Sequence, residues 1–534
     1  MQKVFTARCV ACHGCLESPC QLNLQSHEGL LRGLKYENVY HGSRPSPTAP
    51  TRLEEDDQSL EGWRTLGFHD VVGTPENSVL LKVLSLGAQK NYVRPTLTVK
   101  KSQVCVSQDK GDFDANPELA MPYGLPPIGA EDVLAIKDWM QKGRPVPEAQ
   151  SLMASTPEIQ SQVSHWTEFL NKPDLKSRIV SRYLFEHYFL AHFYFESAPK
   201  EFMRLIRSKN SCDTPLPIAT RSPNDDPGIA DFKYCFVKIK TAIVAKNHIP
   251  YKLSDEKLSW LQNNFFGSAW TAASFPSYEA KAAANPFLTF KDIPIIARYK
   301  FLLEDAQYQI MTFVKGPVCS GSIAVNSIQE QFYVLFMNPQ SDLMVRSPVY
   351  AEAIQKILVM PGVFTEKVSG PIDFYKFNDQ MSQNRLVYRQ VERDQLQKLS
   401  PQGYGLADLW DGNQTNDNAL LTVFRHDDNA TVLKGARGDL SKTAFVLDYS
   451  VFERLVYNLV VNFDVYGNYG HQLLTRLYMD IIRKDAENNY LYFLPPEQRP
   501  TTKKYWYADK IAQLKLNRQQ EFTFPSIGTR VAFQ

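Results

Sequence analysis

Four cysteines fall within twelve residues near the N-terminus, at positions 9, 12, 15 and 20, and the first two open the pattern Cys9-Val-Ala-Cys12-His13. This C-x-x-C-H spacing sets two thiols one helical turn apart, where both can add to the vinyl groups of a haem. The adjacent histidine then reaches the iron from the same side. With eight cysteines and ten histidines in 534 residues, chance would produce the pattern about 0.002 times per chain. Two other readings compete. A zinc half-site needs a second Cys/His pair at similar spacing, and Cys15 and Cys20 do not supply one in a familiar form. A redox C-x-x-C sits after a strand in a βαβ unit, which this stretch lacks. The pattern predicts one covalently attached haem c on Cys9 and Cys12, with His13 as an iron ligand. It also predicts a short helix, Val4 to Cys12, at the head of a compact helical domain.

The second axial ligand is expected further along. Met121 opens the segment MPYGLPPI (121–128), and a helix over 130–142 follows, with Glu131 and Asp132 in its first turn and Val133, Ile136, Trp139 and Met140 as its apolar face. Attachment helix, methionine loop, closing helix is the order of a c-type cytochrome, and a thioether opposite histidine raises the iron potential. Met121 as a mere gap-filler in the core is the bland alternative. His27, His41 and His69 are the other ligand candidates. Gly143, Pro145 and Pro147 mark a boundary, so the expected fold is multidomain: an α-helical cytochrome c-like domain over 1–148, then a large α+β domain over 149–534, divisible near residue 300.

In the second region the pattern predicts helix over roughly 157–207, including the aromatic run 178–196. Strands are expected at 234–240, 308–314, 332–337, 420–425 and 444–449. Phe452, Leu455, Val456, Leu459, Val460 and Phe463 make an amphipathic helix. The turn 466–470 then leads into a second helix over 472–494. Arg178, Arg182 and Glu186 lie at i, i+4 and i+8 and can pair. On one helix, His187 and His192 would differ by about 140° and could not share a ligand. The functional reading places His187 or His192, with Arg182 and Glu186, beside an acyl or headgroup pocket; the bland one makes them hydrogen-bonded core residues. Arg425, His426 and Arg437 are candidates for phosphate contact or simply solvated loop charges. Trp260, Phe265, Phe266 and Trp270 suit either a membrane interface or the core.

Composition narrows the rest. Lys plus Arg number 59 against 57 Asp plus Glu, a net charge of +2, which argues against nucleic-acid binding. Neither a P-loop nor a convincing G-x-G-x-x-G implies a nucleotide. No apolar run is long enough to span a bilayer. Covalent haem attachment occurs outside the bacterial cytoplasm, so a periplasmic location is expected, with any signal peptide already removed. The remaining cysteines, 15, 20, 105, 212, 235 and 319, can then be oxidised, and Cys212–Cys235 is the preferred local pair.

Several long stretches together resemble the fatty acid cis/trans isomerases of Gram-negative bacteria. They are RCVACHGCLESPCQL (8–22), Y-x-G-x-R (40–44), MPYGLPPI (121–128), SRYLFEHYFLAHFYFE (181–196), AKNHIPY (245–251), KGPVCSGSIAVN (315–326), the run 421–449, and FERLVYNLVVNFDVYGNYGHQLLTRLYMD (452–480). The resemblance implies a periplasmic haem-c enzyme, soluble or peripherally bound to the membrane. It would convert cis double bonds of phospholipid acyl chains to trans without moving them. An isolated alkene has no acidic proton near pH 7, so acid–base residues alone gain little. Transient withdrawal of π density by ferric haem, bond rotation and electron return would involve no net redox change. A haem-c oxidoreductase or electron-transfer protein is the first alternative, although a second C-x-x-C-H is lacking. A non-enzymatic haem-based lipid sensor is the other.

Overall fold

A computed structural model describes residues 1–40, 44–89, 120–123, 125–145, 156–241, 243–316, 330–364, 371–426, 429–507 and 527–532. His41 and Cys105 lie outside these residues, as does most of the stretch 315–326.

The N-terminal portion is helical. Helix α1 (Gln2–Arg8) leads into the cysteine turn, and α2 (His27–Arg32) starts at Ser26, whose hydroxyl accepts the Gly29 N–H at 3.1 Å. Helix α3 (Val79–Gln89) follows, and α4 (Ala130–Gln141) falls where the apolar periodicity places it. Phe5, Val10, Leu24, Leu30, Leu81 and Ile136 gather into one small core.

A separate, much larger core unites the rest. Helices α5 (Pro157–Leu170) and α6 (Leu175–His187) precede strands β1 (His192–Phe195), β2 (Met203–Ser208), β3 (Lys233–Lys238) and β4 (Pro250–Leu253). These form a mixed sheet in the order β3-β2-β1-β4, with β1 and β4 parallel and Phe193 opposite Tyr251. The continuous helix expected over 157–207 is therefore corrected. The chain leaves helix after His187, and the aromatic run HFYF pairs as strand, because such side chains fit a pleated, half-buried surface. His187 and His192 thus sit on different elements, and their expected 140° separation around one helix does not apply.

Helix α7 (Asp255–Phe266) covers this sheet's core; α8 (Ile295–Glu304) and α9 (Ala306–Lys315) follow. The strand expected at 308–314 is α9. Ala306, Ile310, Phe313 and Val314 are buried at helical spacing, and that packing overrides the β propensity of Tyr, Ile, Thr, Phe and Val. A second mixed sheet runs β7-β6-β5-β8, built from β5 (Gln331–Phe336), β6 (Leu420–His426), β7 (Asn429–Lys434) and β8 (Thr443–Leu447), with β5 and β8 parallel. Alternation is clean in β5, where Phe332, Val334 and Phe336 face inward.

Between β5 and β6 lies α10 (Pro371–Leu399); α11 (Tyr449–Val456) and α12 (Tyr469–Leu491) close the chain's main body. The buried carboxylate of Asp485 on α12 is gripped by Arg385 and Arg389 of α10 and Arg454 of α11 at 3.0, 2.6 and 3.1 Å. Burial alone would raise its pKa, but the three guanidiniums hold it well below the usual carboxylate range. No helix among the described residues is long and apolar enough to cross a membrane.

Candidate functional site

The turn after α1 carries the motif. The Cys9 N–H donates to the Phe5 carbonyl at 2.8 Å, and the N–H groups of Cys12 and His13 both return to the Cys9 carbonyl at 3.1 and 2.9 Å. Cys9, Cys12 and His13 therefore ride on one continuous turn. His13 Nδ1 lies 3.2 Å from the Leu22 carbonyl oxygen. Donating there fixes the tautomer that leaves Nε2 with a free lone pair, the arrangement found behind metal-bound histidines. Burial pushes the His13 pKa down, so the ring is neutral, as a ligand must be. Cys9 and Cys12 are free thiols. Burial pushes Cys9 up to about 11, the opposite of the depressed thiol that a redox C-x-x-C requires.

Met121 packs against the same small core as Cys9, and its N–H donates to the Val83 carbonyl at 3.0 Å. The methionine loop crosses α3 at Gly87, where any Cβ would stand 2.1 Å from the Met121 carbonyl oxygen. Cys9 and Met121 on one apolar core, with the exposed Cys12 thiol and the oriented His13 imidazole on the same turn as Cys9, are side chains of the types that hold a c-type haem. Of the other ligand candidates, His69 is exposed and pairs with the backbone of Leu34. His27 is buried edge-on to Trp139 at 5.7 Å, with neither ring nitrogen hydrogen-bonded among the described residues.

The candidates on α6 form a different cluster. Arg182 Nε donates to Glu186 Oε1 at 2.8 Å, and Tyr457 donates its hydroxyl to Glu186 Oε2 at 2.5 Å. His187 Nε2 lies 3.1 Å from Glu453 Oε1, while the Tyr183 hydroxyl donates to Glu453 Oε2 at 3.0 Å. Arg182, Glu186, His187 and Glu453 are all buried. This network stitches α6 to α11 and the turn after it, and none of its members lines the cavity described next. Arg178 lies over the Phe275 ring and does not join the pair. Phe265 and Trp270 are buried, with the Trp270 indole donating to the Phe265 carbonyl at 2.7 Å; that part of the aromatic cluster packs the core. Arg425, His426 and Arg437 belong to the β6–β7 hairpin and its exit, away from the cavity.

A cavity of about 300 Å³ lies between the motif segment and the first sheet. Its lining is mixed, with apolar side chains such as Leu16, Phe185, Phe189, Leu190, Ile218 and Ile239. Arg32, Arg52, Arg204 and Arg207 line it too, with Glu54 and Glu55, and Arg207 lies over the Phe185 ring. His192 also lines it, so the structure brings this one predicted residue to the cavity and leaves His187, Glu186 and Arg182 in the core. Its Nδ1 accepts the Ile249 N–H at 3.1 Å, and burial, aided by His248 and Lys315, pushes its pKa down to about 4.

The loop 22–25 separates the cavity from the motif. Leu22 and Leu24 face the small core, whereas Asn23 and Gln25 line the cavity, the alternation of an extended chain. On the other side of the motif, Asn247 donates to the Gly14 carbonyl at 3.2 Å. Arg204 and Arg207 were not anticipated as site residues. Their only trace in the sequence is a pair of cations inside the short apolar segment MRLIRS (203–208), which fits a buried strand poorly unless something polar meets them.

The family model for fatty acid cis/trans isomerases matches residues 48–534; the C-x-x-C-H turn precedes that span. No curated protein and no solved structure matches the chain. A match over nearly the whole length settles the assignment at family level: the chain belongs to the fatty acid cis/trans isomerase family and is an isomerase.

Proposed function

We propose that the enzyme converts cis double bonds in membrane phospholipid acyl chains to trans in the periplasm, using a c-type haem attached through Cys9 and Cys12. When bound, a ferric haem supplies an electron-poor centre able to weaken a π bond, which acid–base groups cannot do for an isolated alkene. The protein's own part is tethering, orientation and exclusion of water. Cys9 and Cys12 tether the cofactor, the Leu22 carbonyl orients His13, and Met121 stands as the second ligand. Phe185, Phe189 and Leu190 offer an acyl chain a dry surface. The observation that carries this reading is the loop 22–25: its Leu22 carbonyl holds His13, while Asn23 and Gln25 form cavity wall. Peripheral contact with the membrane brings the substrate to the protein.

The test is incubation of the purified holoprotein with vesicles of a cis-monounsaturated phosphatidylcholine and analysis of acyl chains by gas chromatography. Trans chains should accumulate without consumption of any electron donor or acceptor. Intact haem with no trans product would sink the proposal, and consumption of a donor would replace it with an oxidoreductase. Cys9→Ala and Cys12→Ala should each lose covalent haem, read by the pyridine haemochrome spectrum, and lower activity at least tenfold.

A further inference from the structure

Three of the segments that carry the family resemblance meet at a lysine for which the reaction has no evident use. Lys315, the last residue of α9, is buried to 7 % exposure. A lysine at a helix C-terminus ordinarily keeps its head in water. Here the ammonium turns inward and donates to the Ala245 carbonyl at 2.6 Å and the His248 carbonyl at 2.8 Å. No carboxylate is bonded to it among the described residues. The histidines beside it do not compensate its charge. Burial, and with it the ammonium itself, pushes both His192 and His248 toward the neutral form. Burial also pushes Lys315 down to about 8. A buried cation with only neutral partners is costly, and what it holds is one short loop.

That loop reaches the C-x-x-C-H turn. The Asn247 N–H closes it by donating to the Val244 carbonyl at 3.1 Å. The Val244 N–H donates back to Asn247 Oδ1 at 3.1 Å, which fixes the sense of the side-chain amide. Its nitrogen therefore points outward, onto the Gly14 carbonyl at 3.2 Å. Val244 packs against the same small core as Cys9 and Met121. His192 brackets the loop's exit, donating its N–H to the Ile249 carbonyl at 2.8 Å and accepting the Ile249 N–H on Nδ1 at 3.1 Å. On the motif side, the His13 carbonyl accepts the Leu24 N–H at 2.7 Å. The two carbonyls that follow the His13 ring are thus each held, one by the loop 22–25 and one by Asn247.

We propose that Asn247 is a positioning residue for His13 and that Lys315 is its brace. The ammonium sets the turn 244–248, and the turn sets the amide on the Gly14 carbonyl, one residue beyond the imidazole. Both act through the backbone of the motif turn. The link rests on His13 as the iron ligand in the reading above, and adds to it the part of the large core's side that aims the ligand. It gives a task to AKNHIPY (245–251) and to the lysine that opens KGPVCSGSIAVN (315–326).

Amide hydrogen exchange, read by mass spectrometry on the full-length protein, tests the link. Asn247→Asp keeps the acceptor for the Val244 N–H and removes the donor to Gly14. Lys315→Met keeps the stem and removes the ammonium. Each should speed exchange over 10–16 at least tenfold and leave α4 and α12 unchanged, and Lys315→Arg should restore part of the protection. In haem-loaded protein both variants should also shift the reduction midpoint without lowering the pyridine haemochrome yield, since the ligand is tilted and not lost. Unchanged exchange over 10–16 in both variants would overturn the proposal. So would acceleration spread evenly through α4 and α12, or an unmoved midpoint, either of which would reduce the pair to a plain structural tie. The exchange is read with or without haem, so failure of the cofactor reading and failure of this link are separately visible.

Discussion

Single atoms decide how closely the methionine loop can approach α3. Gly87 is the point of contact, with the Met121 carbonyl oxygen 2.1 Å from where a Cβ would be. Both partners are backbone there, so no side chain can swing aside. Gly87→Ala should cost about 1–3 kcal/mol, as overpacking of a tight contact does, read as a lower urea midpoint. If the proposed haem is bound with Met121 as its second ligand, the same change should also weaken the methionine–iron charge-transfer band, because the loop that carries Met121 has to move. An unshifted midpoint would mean that the loop slides freely at this crossing. That Cys9, Cys12 and His13 ride on one turn was legible in the sequence because their C-x-x-C-H spacing is purely local. The cavity cations were not, because Arg207 meets Thr220 and Asp225 only through the fold.

Among the elements, the loop leaving β2 shows how a staple shapes the site. Cys212 and Cys235 form a disulfide across 23 residues, as the local pairing predicted, and the enclosed segment supplies Pro217–Thr220 to the cavity wall. Closing a loop of that length contributes about 3 kcal/mol through the unfolded chain. The double variant Cys212→Ala/Cys235→Ala should lose about that much, measured by denaturant unfolding, and reductant should shift the parent protein toward it while leaving the variant unmoved. A parent insensitive to reductant under conditions that break the bond would contradict this. Element types read well where one periodicity dominated, as in α4 and β5. They failed where aromatic and β-branched residues were dense. The run 192–195 is strand, not helix, and 308–314 is helix, not strand, because burial against a neighbouring element chose between two locally acceptable states.

Taken whole, the described residues have two main cores joined along a polar seam. The Thr48 N–H donates to the Tyr466 carbonyl at 2.9 Å and the Tyr469 N–H to the Arg44 carbonyl at 2.7 Å. Arg221 ties Asp464 at 2.6 Å to the Thr48 carbonyl at 2.8 Å. His471 Nε2 supports this seam by accepting the Asp464 N–H at 3.0 Å. Burial pushes His471 down to about 4, with Asp464 opposing and Arg221 reinforcing that shift. A histidine depressed on folding contributes stability that is complete above its unfolded value near 6.5 and lost as pH falls through 4. The full contribution is roughly 3 kcal/mol. Unfolding free energy should therefore decline between pH 6.5 and 4, with His192 adding a slope of the same sign. His471→Gln, which keeps an acceptor but does not titrate, should flatten part of that decline; an identical slope in the variant would remove His471 as its origin. The seam also sets a limit on transplantation. Leu16, Asn23, Gln25 and Arg32 complete the cavity from outside the span 48–534. A chimera that grafts only that span behind a foreign leader would inherit the family's signature but carry an open trough, and any redesign of chain-length preference has to edit both sides together.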